Sequence, residues 1–212
     1  MLTLTVSLGF WQIERLGWKR ALLAEIDRGD ATRSVPLSAT ATPFSRVASE
    51  GTFAAGIARY GAEVRVTPHG PAMGAHVLGV LERPGAIPVV VDRGWAPIDW
   101  VVEAPLGPVR IDGYVRPPET ASWSAARDDI AQRRFFTLNP ALIGASLGLG
   151  HVAPFTLVAL GSPGSFPEPA TALPRPPNDH LSYAITWFSL SAILLIVFVI
   201  FARQVLRKGA PP

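Results

Sequence analysis

The chain contains no cysteine, which removes disulfides, thiolate-held metals and cysteine nucleophiles together. Methionine is almost as scarce, with Met1 and Met73 the two in 212 residues. Copper(I) carriage, which favours soft sulfur ligands, is therefore poorly supported. Also missing are G-x-S-x-G, H-E-x-x-H, a Walker loop and a dinucleotide-binding glycine fingerprint, so the common motif-borne enzyme chemistries have no foothold. Charge is sparse: 17% of residues are charged against 49% apolar, a balance that points to membrane. Lysine is absent between positions 30 and 175, where twelve Arg face twelve Asp or Glu. The basic excess sits at the ends instead, in Arg15, Lys19, Arg20 and Arg28, then Arg203, Arg207 and Lys208. It flanks apolar segments rather than forming an aromatic-interleaved basic patch, which excludes a nucleic-acid partner and makes the lipid bilayer one.

What is present begins with 22 uncharged residues, positions 181–202. As a helix they measure about 33 Å, enough for a hydrocarbon core of about 30 Å. Tyr183 and Trp187 sit where rings favour the headgroup level, and Arg203, Arg207 and Lys208 follow the far end. The positive-inside rule then places the C-terminus in the cytoplasm and the middle of the chain outside. The apolar start, positions 1–11, covers only about 16 Å as a helix. It has no basic leader and no small-residue cleavage site. Two explanations stand, a membrane helix lacking its first half in this sequence or a short interfacial anchor. Trp11, Trp18 and the cluster Arg15, Lys19 and Arg20 favour the first.

Between the ends, a helix is expected over 12–27, closed by Gly29. Short apolar or alternating runs follow at 53–60, 63–67, 76–82, 87–92, 108–115 and 155–160, separated by Gly and Pro. Asn139-Pro140 reads as the N-cap and first residue of a short helix to about 147, and the proline-rich stretch 163–177 as an extended spacer. The fold class is a membrane protein with a small mostly-β domain, barrel- or sandwich-like, carrying short helices. Its expected divisions are 1–28 (first membrane helix and extension), 29–162 (extracytoplasmic β-rich domain), 163–179 (spacer), 180–203 (transmembrane helix) and 204–212 (cytoplasmic tail).

Candidate chemistry is thin. Asp128 and Asp129, beside Arg127, Arg133 and Arg134, read as a solvated face. His69 lies in a turn, His151 follows a glycine-rich loop, His76 starts an expected strand, and no two share a ligand spacing, so a zinc site is not expected. His180 differs. On a helix, His180, Tyr183, Ala184 and Trp187 share one face at the outer edge of the bilayer. An imidazole there has two readings, a haem ligand with the rings of Tyr183 and Trp187 covering the macrocycle, or an interfacial histidine in the headgroups. Arg93, Gly94, Trp95 and Pro97 also have two readings. Either they turn the chain after a core strand with Trp95 packed inside, or they form a docking surface.

Three blocks resemble one family. Gly9-Phe10-Trp11-Gln12-Ile13-Glu14-Arg15 is similar to its Gly-x-Trp-Gln-x-x-Arg block. Arg93-Gly94-Trp95-Ala96-Pro97 resembles its Arg-Gly-Trp-x-Pro strand. Asn178-Asp179-His180-Leu181-Ser182-Tyr183-Ala184-Ile185-Thr186-Trp187 is similar to its Asn-x-His-x-x-Tyr-Ala-x-Thr-Trp motif. The family is that of surfeit locus protein 1, membrane proteins of bacteria and mitochondria that assist assembly of cytochrome c oxidase. The resemblance implies an extracytoplasmic domain between two membrane helices, in the bacterial cell membrane or the mitochondrial inner membrane. It implies a chaperone-like assembly factor, not an enzyme, serving the oxidase's large subunit and in contact with haem a synthesis enzymes. It implies transiently bound haem a, with His180 as the axial ligand and no metal other than the haem iron. A haem-free scaffold holding an assembly intermediate is the alternative.

Overall fold

A computed structural model describes residues 1–123 and 126–208. In chain order the elements are α1 (Leu2–Ala31), β1 (Val35–Pro36), β2 (Arg46–Phe53), β3 (Ala58–Thr67), β4 (Gly70–Arg83), β5 (Ala86–Pro97), β6 (Pro108–Arg116), β7 (Arg134–Phe135), α2 (Pro140–Ser146), β8 (Thr156–Ala159) and α3 (His180–Lys208). They divide into two compact units. One comprises Met1–Glu25 and the chain from Arg175 onward, the other Ile26–Pro174.

The second unit is mostly β. Its strands run in the order β1-β2-β6-β8-β5-β4-β3-β7, and a further pairing of β2 with β4 joins the sheet to itself. Thr52 opposite Glu82 and Phe53 opposite Leu81 make that closure. A ring of five strands results, β2-β6-β8-β5-β4, so five strands lose their open edges. Strand β8 lies parallel to β5 and antiparallel to β6. The expectation of a barrel-like β domain therefore holds.

Two apolar clusters follow from the period-2 alternation of strands. Val47, Phe53, Leu81, Val89, Val91, Val115, Phe155 and Leu157 form one. Ala58, Leu78, Val80, Val90, Phe135, Leu138 and Ile143 form the other. On β5, Val89 and Val91 enter the first cluster while Val90 enters the second. The unbroken run Val89-Val90-Val91 is thus a strand buried on both faces. Helix α2 supplies Ile143 to the second cluster. Asn139 caps it as expected, its side chain accepting from the Ala141 and Leu142 amides.

Several expectations need correction. Residues 53–60 are not one strand: β2 ends at Phe53 and β3 begins at Ala58. Gly56 between them has φ +93°, and the Ala54 amide donates to the Val80 carbonyl, so the chain turns where composition alone suggested continuity. His76 lies in the middle of β4, not at its start. Strand β5 does not turn after Asp92 but continues to Pro97. Gly94, at φ +117°, absorbs the register irregularity against β4, a bulge conformation that glycine adopts without strain. The two-residue strands β1 and β7 carry no periodicity long enough to read.

Helix α1 is also longer than expected. It starts at Leu2 and passes through Gly29 to Ala31. Gly29 is a site of close approach instead of a helix stop: a Cβ there would collide with the Phe44 carbonyl. The Thr32 hydroxyl, donating to the Arg28 and Gly29 carbonyls, ends the helix. The first half of the stretch read as a spacer is docked on the sheet. Trp95 and Glu168 exchange backbone hydrogen bonds of 2.9 and 2.8 Å, and Gly161 donates to Ala170. The Asp128 carboxylate accepts from the backbone amides of Phe136 (2.6 Å) and Thr137 (3.1 Å), while Asp129, Arg127, Arg133 and Arg134 are exposed, in keeping with a solvated face.

Candidate functional site

In the first unit, α1 and α3 meet along residues repeating at three and four positions. Thr5, Gly9, Gln12 and Leu16 are buried on α1; Ala184 and Ser191 are buried on α3, with His180, Trp187 and Phe188 half-buried. Spacing of this kind keeps one helical stripe facing a partner. Four of the six buried ones, Thr5, Gly9, Ala184 and Ser191, are small, which lets the backbones approach closely. A Cβ on Gly9 would come within 2.7 Å of the Phe188 ring. Phe188 instead stacks edge-on with Phe10, centroids 5.5 Å apart. Ser191 Oγ lies 2.7 Å from Thr5 Oγ1 and 2.8 Å from the Trp187 carbonyl, its one proton shared between the two acceptors. Polar side chains in the seam therefore satisfy each other.

The other surface of α3 is apolar and exposed: Ile193, Leu195, Ile196, Val197, Phe198 and Phe201 face outward. Among the described residues α3 is the one helix long and apolar enough to cross a membrane. Exposed apolar side chains over such a length suit lipid.

His180 is the first residue of α3. Its Nδ1 lies 2.7 Å from Gln12 Oε1. An amide oxygen only accepts, so this contact fits the tautomer with the proton on Nδ1 and the lone pair on Nε2. Gln12 is 8% exposed. Sequence reading placed Gln12 inside the first block but assigned it no role, because its partner is 168 positions away. One signal was available, a lone amide in an otherwise apolar opening stretch.

The residues expected around His180 are placed unequally. Ala184 is 1% exposed, on the seam; Trp187 is half-buried beside it; Tyr183 is 56% exposed. The aromatic pair therefore does not close symmetrically over His180. Trp187 borders the seam while Tyr183 is turned outward, its amide donating to the Asp179 carbonyl. A half-buried imidazole engaged at Nδ1 by Gln12 fits an axial nitrogen ligand through its other ring nitrogen.

The second motif lies in the β unit. Trp95 is 1% exposed, with Phe166 edge-on at 5.6 Å and the Arg65 guanidinium 5.3 Å over its ring. Gly74 lies beneath the indole, where a Cβ would collide with it. Arg93 lies over Phe53 at 5.3 Å, and burial lowers its pKa. Pro97 ends β5, its carbonyl accepting from Arg59. The motif is thus built into the sheet.

Among the other histidines, His76 is held at Nδ1 by Asp92, 3.1 Å from Oδ1 and 2.9 Å from Oδ2, with the better hydrogen-bond geometry at Oδ1. Asp92 is 1% exposed and also accepts from the Gly94 amide. His69 is in the β3–β4 turn and His151 is exposed. Nearby, the Tyr60 hydroxyl bonds to both Glu119 oxygens at 2.9 Å and accepts from Arg116. Burial pushes the Tyr60 and Tyr114 phenols up to about 12. No group of three or more His, Asp or Glu that would hold a metal ion occurs among the described residues.

Comparison with known proteins gives a consistent result. The model of the SURF1 family matches residues 1–192. A SURF1-like protein of Rickettsia conorii is 27% identical over 223 residues, covering 99% of this chain and 91% of that protein. One from Monosiga brevicollis is 26% identical over 228 residues, covering 94% and 84%.

Proposed function

The chain belongs to the SURF1 family, and from that premise we propose that it is a cytochrome c oxidase assembly factor that binds haem a at His180. On this reading it assists insertion of haem a into the large catalytic subunit, acts without catalysis of its own, and meets the enzymes of haem a synthesis upstream. The β unit lies outside the cytoplasm, held by α1 and α3 in the membrane, with Arg203 and Arg207 on the cytoplasmic side.

The observation that carries the proposal is the placement of His180, a half-buried imidazole at the head of an apolar helix, with Nδ1 2.7 Å from Gln12 Oε1. Bound there, haem a would bring iron for Nε2 to ligate. The chain supplies the rest. Trp187 on the seam offers an apolar ring for the macrocycle, and the outward apolar face of α3 lies in the medium that suits an apolar tail. Each methylene kept from water contributes about 0.8 kcal/mol, so a site at a membrane helix holds such a group far better than an aqueous one.

A second reading, a haem-free scaffold for an oxidase intermediate, draws on a different feature. Val64 pairs with Met73 and Val66 with Pro71 on the β3–β4 hairpin. Ile98 joins them through its amide bond to the Met73 carbonyl, and Trp100 is exposed nearby in sequence. Apolar groups gathered at an exposed hairpin suit a protein partner.

The visible spectrum of the protein purified from cells that make haem a decides between them. Wild type is expected to carry a haem a spectrum, and His180→Ala to lose it while still inserting into the membrane. An unchanged spectrum in His180→Ala removes the ligand assignment; no haem in wild type leaves the scaffold as the better account.

A further inference from the structure

We propose that Gln12 is a positioning residue that sets the tautomer of His180, keeping the proton on Nδ1 and the lone pair on Nε2. The inference rests on the reading of His180 as the haem ligand and assigns a function to the first sequence block, which otherwise reads as helix packing.

The geometry is specific. Gln12 Oε1 accepts from His180 Nδ1 at 2.7 Å across the seam, from a side chain that is almost wholly buried. Burial of an amide without a partner is unfavourable, and a hydrogen bond in a low-dielectric seam is stronger than in water. The pair is therefore persistent, and it has a direction, because the carbonyl oxygen has no proton to give. A free histidine side chain prefers the opposite tautomer, with the proton on Nε2. Left to itself, His180 would block the nitrogen that must ligate. Histidines that hold metals commonly donate their other N–H to an oxygen, which fixes ring orientation and raises basicity. In this chain that oxygen comes from α1.

The same seam contains a control. Ser191 and Thr5 also make a 2.7 Å bond between the two helices, but neither partner is a ring with two nitrogens. If hydrogen bonds here only held the helices together, losing either one would have similar consequences. If Gln12 positions His180, only its loss changes the imidazole.

The test uses the full chain in bilayers, labelled with 15N-histidine and free of haem, above the ordinary imidazole pKa of about 6.5. The His180 signals are identified by their loss in His180→Ala. Wild type is expected to show a protonated Nδ1 and a bare Nε2. Gln12→Met, similar in shape but without the carbonyl, is expected to move the proton to Nε2, and Thr5→Val to leave the tautomer as in wild type. In cells that make haem a, Gln12→Met is expected to retain haem about ten- to a hundredfold more weakly. Gln12→Glu keeps an oxygen acceptor; it is expected to retain haem and to lower the iron's reduction potential, since an anionic partner increases donation from the imidazole. A proton on Nε2 in wild type, or the same tautomer in Gln12→Met, overturns the proposal, and so does equal loss in Gln12→Met and Thr5→Val. A tautomer that behaves as expected in a protein that never carries haem instead refutes the haem reading and leaves the hydrogen-bond assignment standing.

Discussion

Trp95 is surrounded on each side: Gly74 beneath it, Phe166 at its edge and Arg65 over its face. Its position in the second sequence block left two roles open, and the packing supports the structural one. Removing a buried aromatic leaves a cavity in a close-packed interior. Trp95→Ala is expected to destabilise the β unit by about 3–5 kcal/mol, read from the denaturant midpoint of the protein in detergent. Wild-type stability together with lost oxidase assembly would show that this residue acts through docking instead.

At the scale of elements, β5 is the organising strand. It pairs with β4 along one edge and with β8 along the other, and past Asp92 it gains the 166–170 segment through Trp95 and Glu168. Gly94 makes this possible on two counts, a backbone at φ +117° and a carbonyl of Glu168 where a Cβ would lie. Gly94→Ala is expected to strain the backbone and expel the segment, lowering the melting temperature and speeding protease cleavage within 163–174. Unchanged cleavage there would show that the contact is dispensable. Helices α1 and α3 follow a different rule, in which small side chains matter more than large ones. Gly9, Ala184 and Ser191 permit the approach that brings Gln12 to His180.

For the whole molecule, charge placement gives the direction of insertion. Arg203 and Arg207 follow the apolar stretch of α3, and lysine is absent from 30–175. A reporter active only outside the cytoplasm is expected to be silent when fused after residue 212 and active when fused within the loop at 163–165. The reverse pattern would invert the arrangement and place the β unit in the cytoplasm.

Much of this was legible locally. The apolar run of α3, the Asn139 cap of α2 and most strand segments depend on neighbours in sequence, so composition and period reveal them. His180 was singled out in the same way, by its place on one helix. Local pattern failed where distant chain sets the outcome. Distant chain broke 53–60 across a turn and extended β5 through Gly94, each with an approaching carbonyl or a cross-strand partner, and α1 ran on through Gly29 to Ala31. The five-strand ring depends on the β2–β4 pairing, which no periodicity announces. The sequence by itself determined the membrane-compatible run of α3, the short helix α2 and the strand character of segments within β4, β5, β6 and β8, because hydrophobic period is a property of consecutive residues; it did not mark β2. Only the tertiary structure decided that Gln12 faces His180, because a hydrogen bond between residues 168 positions apart exists only once both helices are packed.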